Sequence, residues 1–184
     1  KGVKVLGSLF IGNALAMHVY RAERTASKRQ QRLALIDRVT SAAIAAPRLL
    51  PMIEASTEEV GRLLNADIAL TYLPPDSDGD RLRLAHATRA CDCLPAELAE
   101  DAAHPVRAAL GEGEALSFVM SADDDDPEAG ELQGVAIPLT GVTQAVGAMV
   151  IGMPQDQRLS VDDIEALHSA GAQLGIIVQH MMLL

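Results

Sequence analysis

Two apolar runs, Val135 to Leu139 and Ala145 to Met153, joined by Thr140-Gly141-Val142-Thr143-Gln144, constrain the fold of this chain more than any other stretch. Runs of this length rich in Val and Ile, separated by a short connection containing Gly, predict a β-hairpin. Strands so apolar need cover on at least one face, which places the hairpin inside a sheet. Just beyond it, Ser160 and Asp163 are spaced as a capping pair at the start of a long amphipathic stretch that runs to Leu184. A hairpin followed by a long helix sets how the rest is read.

Upstream, Leu9 to Ala46 has no Pro and no Gly after Gly12, which predicts a long helix with a break near Thr25 to Ser27. Leu33, Ile36, Thr40 and Ala43 form its second apolar stripe, and Arg21 to Arg32 is a solvated linker. Leu49 to Leu64 predicts another helix, stopped at Asn65. Ala66 to Leu73 alternates as a half-buried strand with Ile68, Leu70 and Tyr72 on one side. After the turn Pro74 to Asp80, Arg81 to Ala90 returns with Leu82, Leu84, His86 and Thr88 on one face. A loop from Cys91 leads into a short helix, Pro105 to Leu110, and a strand, Ala115 to Met120, precedes the acidic loop Ala122 to Glu131.

Charge and residue usage narrow the function classes. Residues 1–32 carry seven cationic side chains against Glu23 alone, a net +6, which leaves −16 for the remainder of a chain whose total is −10. An acidic body of this kind argues against nucleic acid as a partner, because phosphate contacts need clustered Lys and Arg. Two Phe, two Tyr and no Trp leave few walls for a large planar cofactor. Cys91 and Cys93 make no secreted-type disulfide framework, which fits a reducing, cytoplasmic compartment. The longest apolar stretch, Val5 to Tyr20, is interrupted by Gly7, Gly12, Asn13 and His18 and falls short of a membrane span. Membrane association is therefore expected only through a part of the protein outside this chain, as for the soluble portion of a membrane-bound sensor.

The order of elements, with Leu49 to Leu73, Val135-Ala136-Ile137-Pro138-Leu139, Val146 to Gly152 and Leu159-Ser160-Val161-Asp162-Asp163-Ile164-Glu165-Ala166-Leu167, resembles the GAF domain of bacterial signal-transduction proteins, of the sensor histidine kinase type. The resemblance spans Leu33 to Leu184. It implies an α+β, PAS-related fold: a central antiparallel sheet of about five or six strands. The terminal helices would pack on one face, with a short helix and loops over the other. It also implies residues 1–32 as a linker or signalling helix, the end of a preceding domain, and 33–184 as the sensor domain. Haem-binding relatives place a His ahead of the fourth strand, where this chain has Asp123 to Asp126 and Pro127; bilin-binding relatives need a Cys beside a His, which neither cysteine has. Of the cyclic-nucleotide series only the acidic end, Asp162-Asp163, remains. No haem, bilin, cyclic nucleotide or metal is expected.

The resemblance makes the chain a non-catalytic sensory domain that binds a small effector or a partner and passes the signal through its terminal helices. Tyr72, His86, His104, Arg107, Phe118 and Met120 are the expected effector-face residues. Ile164, Leu167, Gly171, Leu174, Val178 and Met181 repeat every three and four positions. They serve either as packing on the chain's own sheet or as the seam of a homodimer joined through the terminal helices. Two other readings stand beside this one: a dimerisation module without a ligand, and a redox or metal sensor built on Cys91 and Cys93, with His86 and His104 as added ligands.

Overall fold

A computed structural model of the 184-residue chain describes residues 30, 33–46, 48–75, 81–89, 94–99, 104–121 and 130–183. The expectations for residues 1–29, for Cys91 and Cys93, and for the acidic run 123–128 lie outside the described residues. The chain divides into two compact units, Lys1–Ala34 and Leu35–Leu184, and the elements below belong to the second.

Residues 35–45 form helix α1 and Leu49–Leu64 form α2, which stops at Asn65 in the left-handed conformation (φ 51°) that a helix stop commonly takes. Six strands follow: β1 (Ile68–Leu73), β2 (Arg81–Ala87), β3 (Glu97–Ala99), β4 (Leu116–Ser121), β5 (Glu131–Thr140) and β6 (Ala145–Pro154). Helix α3 (Pro105–Glu112) lies between β3 and β4, and α4 (Val161–Met182) closes the chain. The sheet is antiparallel in the order β3-β2-β1-β6-β5-β4, so the β5–β6 hairpin does sit inside it. Pro138 costs no ladder bond on the β4 side, because β4 pairing ends at Leu116 opposite Ala136.

Each sheet face carries its own core. One, beneath α1, α2 and α4, holds Leu35, Val39, Met52, Ile53, Val60, Val135, Ile137, Met149, Ile151, Leu167 and Leu174. The other, beneath α3 and β3, holds Ile68, Leu70, Tyr72, Leu82, Leu98, Val106, Met120, Ala136, Ala148 and Val150. The central strand β1 serves both and is buried along its whole length, where its alternation predicts a half-buried strand. Its helix-facing Thr71 shares a 2.6 Å hydrogen bond with Thr57 of α2, whose hydroxyl also donates to the Ile53 carbonyl at 2.7 Å. A buried hydroxyl with a partner is tolerated where an orphan is costly.

Several expectations change. The buried stripe of α1 is Leu35, Val39 and Ala43, with Ile36 alongside it; Leu33 is exposed, because two residues from Leu35 point to the opposite side of a helix. Strand β3, three residues in the stretch read as loop, adds an edge next to β2. A bulge in β2 breaks its alternation: Thr71 pairs with His86, whereas Tyr72 pairs with Leu84, skipping Ala85. The extra residue turns His86 toward the helix face, away from Leu82 and Leu84.

Helix α4 begins at the expected capping box, with Ser160 Oγ accepting from the Asp163 amide (3.2 Å) and Asp163 Oδ2 accepting from the Ser160 amide (3.0 Å). Its seam faces inward. Leu167, Gly171, Leu174 and Val178 are buried on the chain's own sheet, so these positions are closed to a second chain. Gly171 and Gly175 let α4 lie directly on β5: a Cβ on Gly171 would stand 2.7 Å from the Pro138 oxygen. The β5–β6 turn is also tied to this helix, by the Val142 amide donating to Gln179 Oε1 at 2.6 Å.

Candidate functional site

On the α3 face the sheet supplies Tyr72 from β1 and Met120 and Phe118 from β4. Phe118 lies over Gly134 of the neighbouring strand, where an added Cβ would come within 2.7 Å of its ring. Helix α3 begins with His104 as N-cap and Pro105 in the first turn, and ends at Gly113 with φ 70°. Its buried Val106 and Ala109 press onto the sheet. The His104 ring meets Phe118 edge-on, with centroids 6.2 Å apart.

Polar groups on this face hold the covering segment by its backbone. The Tyr72 hydroxyl donates to the Pro95 carbonyl at 2.7 Å, and burial pushes its phenol up to about 12. Arg107 donates from Nη2 to the Leu98 carbonyl (2.6 Å) and from Nε to the Ala99 carbonyl (2.9 Å), fastening α3 to edge strand β3. His104 Nδ1 accepts from the Val106 amide at 3.2 Å, which requires that nitrogen to be unprotonated; burial lowers the imidazole pKa and favours the neutral form.

Tyr72, His104, Arg107, Phe118 and Met120 are thus brought together on one face. His86 does not join them. It lies under α2, its Nε2 3.7 Å from Glu58 Oε1. Cys91 and Cys93 fall outside the described residues. Arg107, expected on the effector face, donates to two carbonyls of β3. What the sequence did not single out is the partner set of these side chains, Pro95, Leu98 and Val106, which sit in a stretch without periodicity. The arrangement is an apolar compartment filled by its own side chains and closed by a cover held through side-chain-to-backbone hydrogen bonds. Among the described residues no three His, Cys, Asp or Glu side chains converge.

A second concavity lies at the edge of the sheet and is lined by residues of both faces. It is a cleft of about 330 Å³ lined by Ser117, Phe118, Val119, Leu132, Gln133, Gln155 and Arg158. It opens beside the edge strand β4, near the segment that leads from β6 into α4.

The sequence model of the GAF domain family matches residues 51–180. No curated protein matches the chain. Among solved structures, the GAF domain of the phosphoenolpyruvate-protein phosphotransferase of Acinetobacter is 16% identical, with a TM-score of 0.64 over 81% of this chain and 93% of that one. The GAF domain of a candidate sensor histidine kinase of Pseudomonas syringae pv. tomato is 16% identical, with a TM-score of 0.62 over 88% and 94%. The free methionine-R-sulfoxide reductase of Neisseria meningitidis, solved with its substrate, is 13% identical, with a TM-score of 0.64 over 83% and 90%. At such identities the likeness is one of fold.

Proposed function

We propose, for a chain that belongs to the GAF domain family of sensory and regulatory modules, that this domain is non-catalytic and senses a small, largely apolar effector beneath α3. The observation that carries the reading is the cover: Tyr72 and Arg107 hold residues 95–99 by backbone carbonyls over an otherwise apolar core. Such contacts exchange readily for contacts to a ligand, whereas a packed apolar lid does not. An effector entering there displaces Tyr72 or Phe118, and β1 carries the change through the sheet, because Tyr72 and Thr71 are neighbours facing opposite cores. A ligand that favours one arrangement shifts the population by its differential affinity.

The output is the α1–α4 pair, joined by Thr40 Oγ1 donating to Gln173 Oε1 at 2.7 Å. With the inward seam occupied, a homodimer uses the outward apolar residues of these helices, Ile44 on α1 and Ile176 on α4. A bacterial histidine kinase is the signalling context this arrangement suits, and the cytoplasm its compartment. Thermal melts against metabolites, nucleotides and carboxylates test the reading, since a ligand at 100 times its Kd stabilises by about 2.7 kcal/mol. Melting points that stay flat across the library favour a ligand-free dimerisation module instead. Sedimentation showing a monomer at high protein concentration removes the dimer.

A further inference from the structure

We propose that the outer edge of β4 is a docking site for a protein partner: an extended segment with Lys or Arg at both ends and β-branched apolar residues at alternate positions between them, which joins the sheet as a further strand. The sheet order leaves two edges, β3 and β4, and they differ in how they are protected. An exposed edge invites another strand, and natural sheets blunt it with short strands, charges, Pro or bulges. β3 is three residues long, carries Glu97 at 3.8 Å from Arg83, and has its Leu98 and Ala99 carbonyls occupied by Arg107. β4 has none of these devices. Its six residues, Leu116–Ser121, include no charge and no Pro, and they pair with β5 in unbroken register from Ala136 to Glu131. Among the described residues no strand pairs with the other side of β4, so alternate N–H and C=O groups along it point away from the sheet.

Side chains and charges select the partner. Ser117 and Val119 point to the helix-covered side, opposite Val135 and Gln133 of β5. Helix α4 packs on β5 and β6 and leaves both exposed, Val119 by 66%. A β-branched residue placed beside Val119 covers it, as cross-strand pairs do. On the other side Phe118 and Met120 already lie with the α3-face core, so the helix side sets the requirement. Glu112 and Glu114 precede the strand, and Glu131 stands opposite Ser121 at its far end; all three are exposed. Arg158 lines the helix side, one cation against three carboxylates. Residues 33–184 together carry −16, the chain's −10 less the +6 of residues 1–32. These charges disfavour a second copy of the chain at this edge. Antiparallel pairing of two β4 strands about Val119 brings Glu112 and Glu114 of one copy to the end of the other that carries Glu131, and like charges brought together oppose association. A segment with cationic ends gains where a second copy loses.

The proposal is independent of the effector reading for the α3 face. Its test uses the full chain and a fluorescein-labelled synthetic strand, Arg-Lys-Val-Thr-Val-Thr-Val-Lys-Arg-amide, read by fluorescence anisotropy and by amide hydrogen exchange. Expected is saturable binding with a Kd of about 0.1 mM or tighter, weakening as salt is added, and slower exchange in β4 with β3 unchanged. The same strand with Glu in place of its basic residues, or with Pro in place of its central Val, is expected to bind about tenfold or more weakly. Val119→Lys, at an exposed position where the melting point reports folding, is expected to lower the affinity about tenfold or more, whereas Val119→Thr, which keeps the β-branch, stays within about twofold. No saturable binding of the basic strand overturns the proposal. So does equal binding of the Pro-containing strand, which reduces the attraction to charge alone, or slower exchange confined to residues outside β4. Self-association in sedimentation that Val119→Lys abolishes also overturns it, by giving the edge to a second copy.

Discussion

Replacing Gly175 with Ala tests how α4 is seated. In an isolated helix the change is favourable by about 0.8–1 kcal/mol, because Ala loses less backbone entropy on folding. Here the new methyl falls on the backbone of Thr140, with that residue's N and C atoms at 2.5 Å, whereas carbon contacts settle near 3.5–4.0 Å. A backbone cannot rotate out of the way, so α4 must lift from β5 by about 1 Å, loosening Leu174 and Val178 on either side of the site. Overpacking of this kind costs about 1–3 kcal/mol, and strain against main chain falls at the upper end. Net of propensity, a loss of about 2 kcal/mol is expected, a fall in Tm of about 4–8 °C. Gly111→Ala is the control. Gly111 sits in the last turn of α3 with nothing within 4 Å of an added Cβ, so the same substitution gains about 0.5–1 kcal/mol there. Urea unfolding followed by circular dichroism, with unchanged m-values, measures both. Equal stabilisation at the two sites would refute the close seating of α4 on β5.

The other expectations concern the cover of the α3 face. Tyr72→Phe removes the bond to the Pro95 carbonyl and is expected to cost about 1 kcal/mol, with faster amide exchange across residues 94–99; unchanged exchange there counts against the latch. Arg107→Met frees β3 and is expected to cost about 1–2 kcal/mol with fraying of Glu97–Ala99, whereas a role in anion binding alone leaves stability untouched. His104 has a lowered folded-state pKa, so the unfolded chain binds its proton first as the solution is acidified. Stability is then full above the unfolded imidazole pKa, near 6.5, and is lost as pH falls through the folded value. His104→Asn keeps a capping acceptor and removes that titration, so its urea midpoint is expected to fall less than the parent's between pH 7 and pH 5; parallel profiles contradict the assignment.

Much of this fold is legible because it is written in local chemistry. The hairpin follows from two apolar runs and a Gly-containing turn, the start of α4 from Ser160 and Asp163, and the end of α2 from Asn65, a residue that tolerates the left-handed conformation. What escapes is set by tertiary placement. β3 is three residues long and carries one buried side chain, Leu98, too little for a period to register. The β2 bulge adds one residue at Ala85, and a strict period of two then assigns His86 to the wrong face. The α4 repeat suits a partner chain and the chain's own sheet equally well; the small residues Gly171 and Gly175, which let backbones meet, decide it for the sheet. On the α3 face residue types suffice to pick out Tyr72, His104 and Phe118. They do not reveal that Arg107 donates to the Leu98 and Ala99 carbonyls, nor that Gln133 and Arg158 line one cleft from segments 25 residues apart.

Coupling between the α3 face and the terminal helices is tested most directly by amide hydrogen exchange on the full chain, with and without the strongest hit from the melting screen at saturation. Added protection is expected in two places at once: residues 94–99 and α3, where the cover closes on the ligand, and α4, where Leu174 and Val178 pack on the strands beneath. Protection confined to residues 94–99 and α3, with α4 exchanging as in the free protein, contradicts the coupling.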